Sequence, residues 1–241
     1  MKVFLTGDSH LGALRRALLQ PDSPNTWPID FTLEALGRGH LLRAPFFADR
    51  GDHAEILDAD FRKRVRKVPS VAGAFDAIGI SGPLNTARVW RDEAFATFRP
   101  YPLTGRTPIS RGMLRAIVED DVRQTLEFIR VVRRNSPVFV IDSPWPFARH
   151  PSVMRIGIEV VQHVHRWYRE YVMAELASMD VPIVDIDPSC LDKQGFMLER
   201  FRNENARDLY HANAAFGKLM LQRIVDRFAP AARPVAQETA S

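Results

Sequence analysis

Cysteine is almost missing: Cys190 is the single one in 241 residues. No intramolecular disulfide framework can therefore staple the fold, and the composition fits a reducing compartment. No apolar run approaches the roughly 20 residues needed to cross a bilayer. The opening Met1 to Gly7 enters a strand at once, without the basic region, apolar stretch and cleavage site of a secretory signal. A cytoplasmic protein with no membrane span is expected. Gly/Ser/Pro-rich linkers are lacking too, so residues 1–228 read as a single domain, followed by a disordered tail over 229–241.

Charge of one sign is also scarce, the formal net charge being only +4. The densest basic run, Arg62-Lys63-Arg64-Val65-Arg66-Lys67, follows Asp58-Ala59-Asp60 and reads as the solvated face of a short helix. It lacks the interleaved aromatics of a nucleic-acid groove, so no nucleic-acid partner is expected. No Cys/His spacing suggests zinc. His163 and His165 stand at i, i+2 in a predicted helix and cannot share a face, and with Trp167 and Tyr168 they read as surface or packing residues. His40, His53 and His150 are scattered. No metal and no cofactor are expected.

What is present is enough apolar material for a full core, 46% hydrophobic residues against 26% charged. Apolar runs at Lys2–Thr6, Ala74–Ser81, Val138–Asp142 and Val181–Ile186 read as strands, and Ile29–Ala35 alternates like another. Helical periodicity covers Leu11–Leu19, Arg111–Arg134, Val153–Met179 and Ala214–Phe228, and Gln20–Pro28 reads as a loop. Strands alternating with helices predict a three-layer α/β/α fold, a flavodoxin-like doubly wound parallel sheet of about five strands. Ala44–Ala48 and His53–Leu57, joined through Asp49-Arg50-Gly51-Asp52, suggest a hairpin insertion at about 44–57.

Ligands in such sheets bind outside the carboxyl ends of the strands. The polar candidates gather there: Ser9 after the first strand, Gly37 and Gly39 after the second, Gly82 and Asn85 after the third, Ser143 after the fourth, Asp208 and His211 in the long segment after the fifth. Gly7-Asp8-Ser9-His10 and Asp208-Leu209-Tyr210-His211 together supply a hydroxyl, an imidazole and a carboxylate. A serine is a poor nucleophile at neutral pH unless a base adjoins it and a third group holds that base in the right tautomer. The spacing Asp208-x-x-His211 lets one turn bring the carboxylate back to Nδ1 and leaves Nε2 free to face a serine.

These blocks resemble the SGNH/GDSL hydrolases. Gly7-Asp8-Ser9 is similar to that family's first block, with His10 where Leu or Ile is commoner, and Asp208-x-x-His211 is similar to its last. The middle blocks depart further: Gly82-Pro83-Leu84-Asn85-Thr86 stands where the family has Gly-x-Asn-Asp, and the block after the second strand is met best by Gly39, then Gly37, then Gly51. The resemblance implies that Ser9 attacks an acyl carbonyl, His211 shuttles the proton and Asp208 orients His211. It further implies an oxyanion hole from the N–H groups of Ser9 and Gly39 and the amide of Asn85. Asp8, which supports the turn, and His10, Trp90, Trp145 and Arg149 are candidate substrate contacts. Trp90, Phe95, Phe98 and Tyr101 among Arg88, Arg91, Arg99 and Arg106, and the segment Ser143–His150, would shape the pocket.

The expected activity is hydrolysis of acyl or acetyl esters of a small molecule, carbohydrate or lipid through an acyl-enzyme. An O-acyltransferase with the same triad and a catalytically idle SGNH-like binding domain are the alternatives. The sequence does not specify the oligomeric state.

Overall fold

The computed structural model describes residues 1–20, 27–69, 73–104 and 107–229. Its centre is a parallel sheet of β1 (Lys2–Asp8), β2 (Asp30–Gly37), β3 (Ala77–Ser81), β4 (Val138–Ile141) and β5 (Ile183–Val184) in the order β5-β4-β3-β1-β2. This is the expected flavodoxin-like order. The direction of winding reverses between β1 and β3, which is where such a sheet opens a crevice at its carboxyl edge.

The period-2 pleat sends alternate side chains to two cores. Phe4, Ile78, Ile80, Val138 and Val140 pack toward one face, with α2 (Arg111–Val132) and α3 (Ile158–Ser178). Val3, Leu5, Ala77, Phe139 and Ile141 pack toward the other, with α1 (Leu11–Leu18) and α4 (Ala214–Phe228). Burial on both faces is why β3 and β4 read as continuous apolar runs.

Several local expectations change. The helical pattern over Val153–Met179 divides into Pro151–Ile156 and α3 at Gly157, whose φ of 103° interrupts the ladder where a side chain would be strained. Asp58 caps only a short helix, Ala59–Arg62, by accepting from the Asp60 and Phe61 amides. The basic run continues beyond that helix into a strand, Lys67–Val68, so it does not form a helical face. Phe47–Asp49 and Ala54–Ile56 pair antiparallel, and Lys67–Val68 adds to them as a third strand. The segment after β3 is not a long loop. It holds a helical turn at Ala87–Trp90, a 3₁₀ turn at Glu93–Ala96 and two short parallel strands, Phe98–Pro100 and Thr107–Ile109. Most of the Gln20–Pro28 loop, Arg106 and residues 230–241 of the expected tail lie outside the described residues.

Candidate active site

Ser9 occupies the turn between β1 and α1, where its carbonyl accepts from the Gly12 amide at 3.0 Å. Its Oγ lies 2.9 Å from His211 Nε2, and His211 Nδ1 lies 2.9 Å from both carboxylate oxygens of Asp208. An ionised carboxylate only accepts, so Nδ1 carries the proton and Nε2 is left to accept from the serine hydroxyl. The Asp208 carboxylate also accepts from the amides of Tyr210 and His211 at 3.2 and 3.1 Å and from Asn203 Nδ2 at 3.1 Å. Partial burial raises its affinity for a proton, but the bonds to His211 and the backbone N–H groups outweigh this and hold it below the usual carboxylate range.

Ser9 and His211 are 202 residues apart, and the helices that follow them bring them together. Asn213 caps α4 by accepting from the Phe216 amide. α4 then packs against α1 so closely that a Cβ on Gly217 would lie 2.1 Å from the Ala13 carbonyl oxygen. Arg16 of α1 donates to the carbonyl of Ala212, the residue after His211, at 2.5 Å. Ser9 and His211 thus hang from one helix pair.

A second constellation adjoins them. Asp8 is fully buried, its Oδ2 accepting from Asn85 Nδ2 at 2.8 Å and its Oδ1 from Ser81 Oγ at 2.9 Å and the His10 amide at 3.1 Å. Burial alone would raise the Asp8 carboxyl; the charges of His10 and Arg88 and the donors Asn85 and Ser81 bring it below its ordinary value. Gly39 completes the group. The β1–β2 register shifts at Gly7/Asp8, setting Asp8 opposite Gly37 and carrying the chain on to Gly39 beside the Asp8–Asn85 pair. A Cβ on Gly39 would stand 2.9 Å from Asn85 Nδ2 and 3.2 Å from Asp8 Oδ2. Arg88 approaches the Gly39 carbonyl through Nη1 at 3.4 Å, while its Nε and Nη2 engage Asp121 and Tyr168.

No family model and no curated protein matches the sequence. Solved structures do match. A protein of Streptococcus pneumonia provisionally described as a platelet activating factor aligns over 93% of this chain and 82% of its own, at 13% identity and a TM-score of 0.53. An extracellular lipase of Streptomyces rimosus aligns over 95% of this chain and 100% of its own, at 13% identity and a TM-score of 0.51. The chain shares the α/β fold of these proteins.

Within that fold the displaced third block poses no geometric obstacle. The extra residue in Gly82-Pro83-Leu84-Asn85 is absorbed in a turn, with the Asn85 amide donating to the Gly82 carbonyl at 3.0 Å, and Asn85 still reaches Asp8. Ser9, His10, Gly39, Asn85 and His211 line a cavity of about 580 Å³ together with Arg38, His40, Arg43, Arg88, Arg91 and Tyr210. His10 is buried against the His211 ring, centroids 5.0 Å apart, and burial pushes its imidazole below the usual histidine value. A larger, more apolar cavity of about 670 Å³ lies alongside and shares Arg43 and Arg88 with the first.

Four of the expected substrate contacts fall elsewhere. Asp8 turns inward to Asn85 and Ser81, leaving no lone carboxylate in the cavity. Trp90 is 3% exposed and packs edge-on against His150. Trp145 donates to Asp142 at 3.2 Å and lies between His165 and Arg169. Arg149 is exposed and borders neither cavity. Gly51 sits in the turn between Phe47–Asp49 and Ala54–Ile56, and Gly37 packs on Phe61, so of the three glycines only Gly39 meets Asn85. The sequence reading missed Arg38, His40, Arg43 and Tyr210 as cavity residues. Tyr210 lies inside the Asp-x-x-His block, but nothing in the sequence distinguished the arginines that reach the cavity from the 33 Lys and Arg residues in all. Among the described residues no cluster of His, Cys, Asp or Glu is arranged to hold a metal ion, and no helix is long and apolar enough to cross a membrane.

Proposed function

We propose that the protein is a serine ester hydrolase of the SGNH/GDSL type, cleaving acyl or acetyl esters through an acyl-enzyme on Ser9. The observation that carries this reading is the unbroken chain Ser9 Oγ, His211 Nε2, His211 Nδ1, Asp208 carboxylate, with 2.9 Å at each step. His211 takes the serine proton as Oγ attacks the ester carbonyl, and returns it to the departing alkoxide, so that the alcohol leaves and Ser9 is acylated. Water, deprotonated by His211, then attacks the acyl-enzyme. The carboxylic acid leaves and Ser9 regains its proton. Asp208 keeps the imidazole in the tautomer that accepts from Ser9 and stabilises it when charged.

Negative charge builds up on the carbonyl oxygen in both steps. The second N–H of the Asn85 amide, not used by Asp8, is free to donate to it, with the backbone amides of Ser9 and Gly39 as companions. Losing one such donor typically lowers kcat by about 10²- to 10³-fold. Gly39 has no side chain to block this approach, and Arg88 steadies its peptide from the carbonyl side.

The test is a fluorophosphonate probe together with p-nitrophenyl esters of graded chain length, on wild type and Ser9→Ala. Labelling and turnover by wild type that both vanish in Ser9→Ala are expected. A folded wild type that is neither labelled nor active would overturn the reading.

A further inference from the structure

The cavity in front of Ser9 has an unbalanced electrostatic lining: four arginines and three histidines border it, and no aspartate or glutamate does. Two of the arginines are already engaged. Arg88 is held by Asp121 and Tyr168, and Arg43 approaches Asp121 at 3.3 Å. The other two, Arg38 and Arg91, make no salt bridge or side-chain hydrogen bond among the described residues. Arg91 lies over the Tyr210 ring, its guanidinium carbon 3.9 Å from the centroid, and is partly buried there. Tyr210 directly precedes His211, and Arg38 directly precedes Gly39. The two unpaired cations therefore flank the reacting centre, one beside the base and one beside the glycine of the oxyanion site.

A guanidinium stacked on an aromatic ring keeps its N–H edge free, and that edge matches the oxygens of a carboxylate or phosphate. Without a competing acid on the wall, the field in the cavity favours an anionic substrate over a neutral one. We infer that the ester cleaved carries an anionic group, a phosphate or carboxylate, that sits against Arg91 and Arg38 while the acyl carbonyl faces Ser9. This rests on the Ser9 reading above and narrows it to a substrate class.

The experiment uses matched pairs. 1-O-Acetylglycerol 3-phosphate is compared with 1-O-acetylglycerol, which places the charge on the alcohol side. 4-Nitrophenyl hydrogen glutarate is compared with its methyl ester, which places it on the acyl side. Wild type should prefer the charged member of at least one pair by about tenfold or more in kcat/KM, the scale of one charge-assisted contact. That preference should shrink with added salt and fall toward unity in Arg91→Gln, with Arg38→Gln as the exposed-site variant that disturbs no packing. Independently of ester choice, inorganic phosphate should slow fluorophosphonate labelling of Ser9 in wild type and much less in Arg91→Gln. A wild type that is labelled at Ser9 but shows no charge preference in either pair and no protection by phosphate would overturn the inference and leave the esterase reading standing. A preference undiminished in both variants would overturn the assignment to these arginines. Loss of labelling itself would remove the nucleophile reading on which both depend.

Discussion

Asp8 and Asn85 meet in the interior, Oδ2 accepting from Nδ2 at 2.8 Å, and this contact links the turn that carries Ser9 to the turn after β3. The buried carboxylate spends its acceptors on Asn85, Ser81 and the His10 amide, so it holds the Asn85 amide and does not line the cavity. Asn85→Ala should lower kcat by about 10²- to 10³-fold with a smaller change in KM. Asp8→Ala should lower kcat comparably, and the double variant little further, because both remove one positioned donor. Asp8→Asn, which retains an acceptor, should recover part of the loss. Additive losses in steady-state kinetics would mean that Asp8 acts by another route.

Gly39 and Gly37 give a contrast two residues apart. A methyl at Gly39 would crowd Asn85 Nδ2 and Asp8, whereas one at Gly37 would meet the Phe61 ring at 2.5 Å. Gly39→Ala should therefore cut kcat by at least about tenfold with a modest change in melting temperature. Gly37→Ala should cost about 1–3 kcal/mol of stability by overpacking, with kcat largely kept in the folded fraction. Parallel thermal melts and ester assays distinguish the two.

Asp208 fixes the tautomer of His211 through Nδ1. Asp208→Asn presents an amide that can favour the wrong tautomer, and kcat should drop by about 10⁴-fold while fluorophosphonate labelling slows in parallel. Since Asp208 is held below the usual carboxylate range in the fold, its contribution to stability is present above the unfolded carboxylate value near 3.9 and is lost as pH falls through the lower folded value.

Two buried histidines away from Ser9, His150 and His165, should make the fold sensitive to acid. Burial, with nearby Arg91 and Arg202, lowers His150 to about 4. Burial, with nearby Arg169 and Arg166, lowers His165 to about 3. Unfolded, each takes up a proton near pH 6.5 that the native state refuses, so stability is full above that pH and declines as pH falls toward 4. His165 meets Thr86 Oγ1 at 2.8 Å, a contact that Gln can imitate. Below pH 6, stability of His165→Gln should fall less steeply than that of wild type, by about 1.4 kcal/mol per pH unit at the limit. Equal slopes in denaturant melts across pH 4.5–7 would contradict this.

The centre of the sheet was legible in the sequence because β1, β3 and β4 are buried on both faces: runs such as Val138-Phe-Val-Ile141 admit few other readings, and their alternation with helices gives a doubly wound sheet. That Ser9, Asp208 and His211 would come together was legible because two short blocks carry them, at strand end and helix start. Side chains placed by distant partners were not. Trp90 and Trp145 looked like pocket walls from their neighbours along the chain, but His150, Asp142 and Arg169 draw them into the interior. Arg88 and Tyr168 gave no hint of Asp121, because an ion pair between residues 33 apart leaves no periodic trace. The sequence favoured Gly39 over Gly37 without excluding either, and what separates them is the register shift at Gly7/Asp8, a detail set by pairing with β1.

The central claim is that Ser9 becomes covalently acylated. Intact-protein and peptide mass spectrometry after rapid acid quench of a reaction with a p-nitrophenyl ester tests it directly. The account predicts an added acyl mass on the peptide containing Ser9 that builds up in a burst, persists longer when water attack is slowed in His211→Ala loaded with an activated ester, and is absent from Ser9→Ala. Ester turnover by wild type with unchanged rate in Ser9→Ala, or an acyl mass on any other peptide, would contradict it.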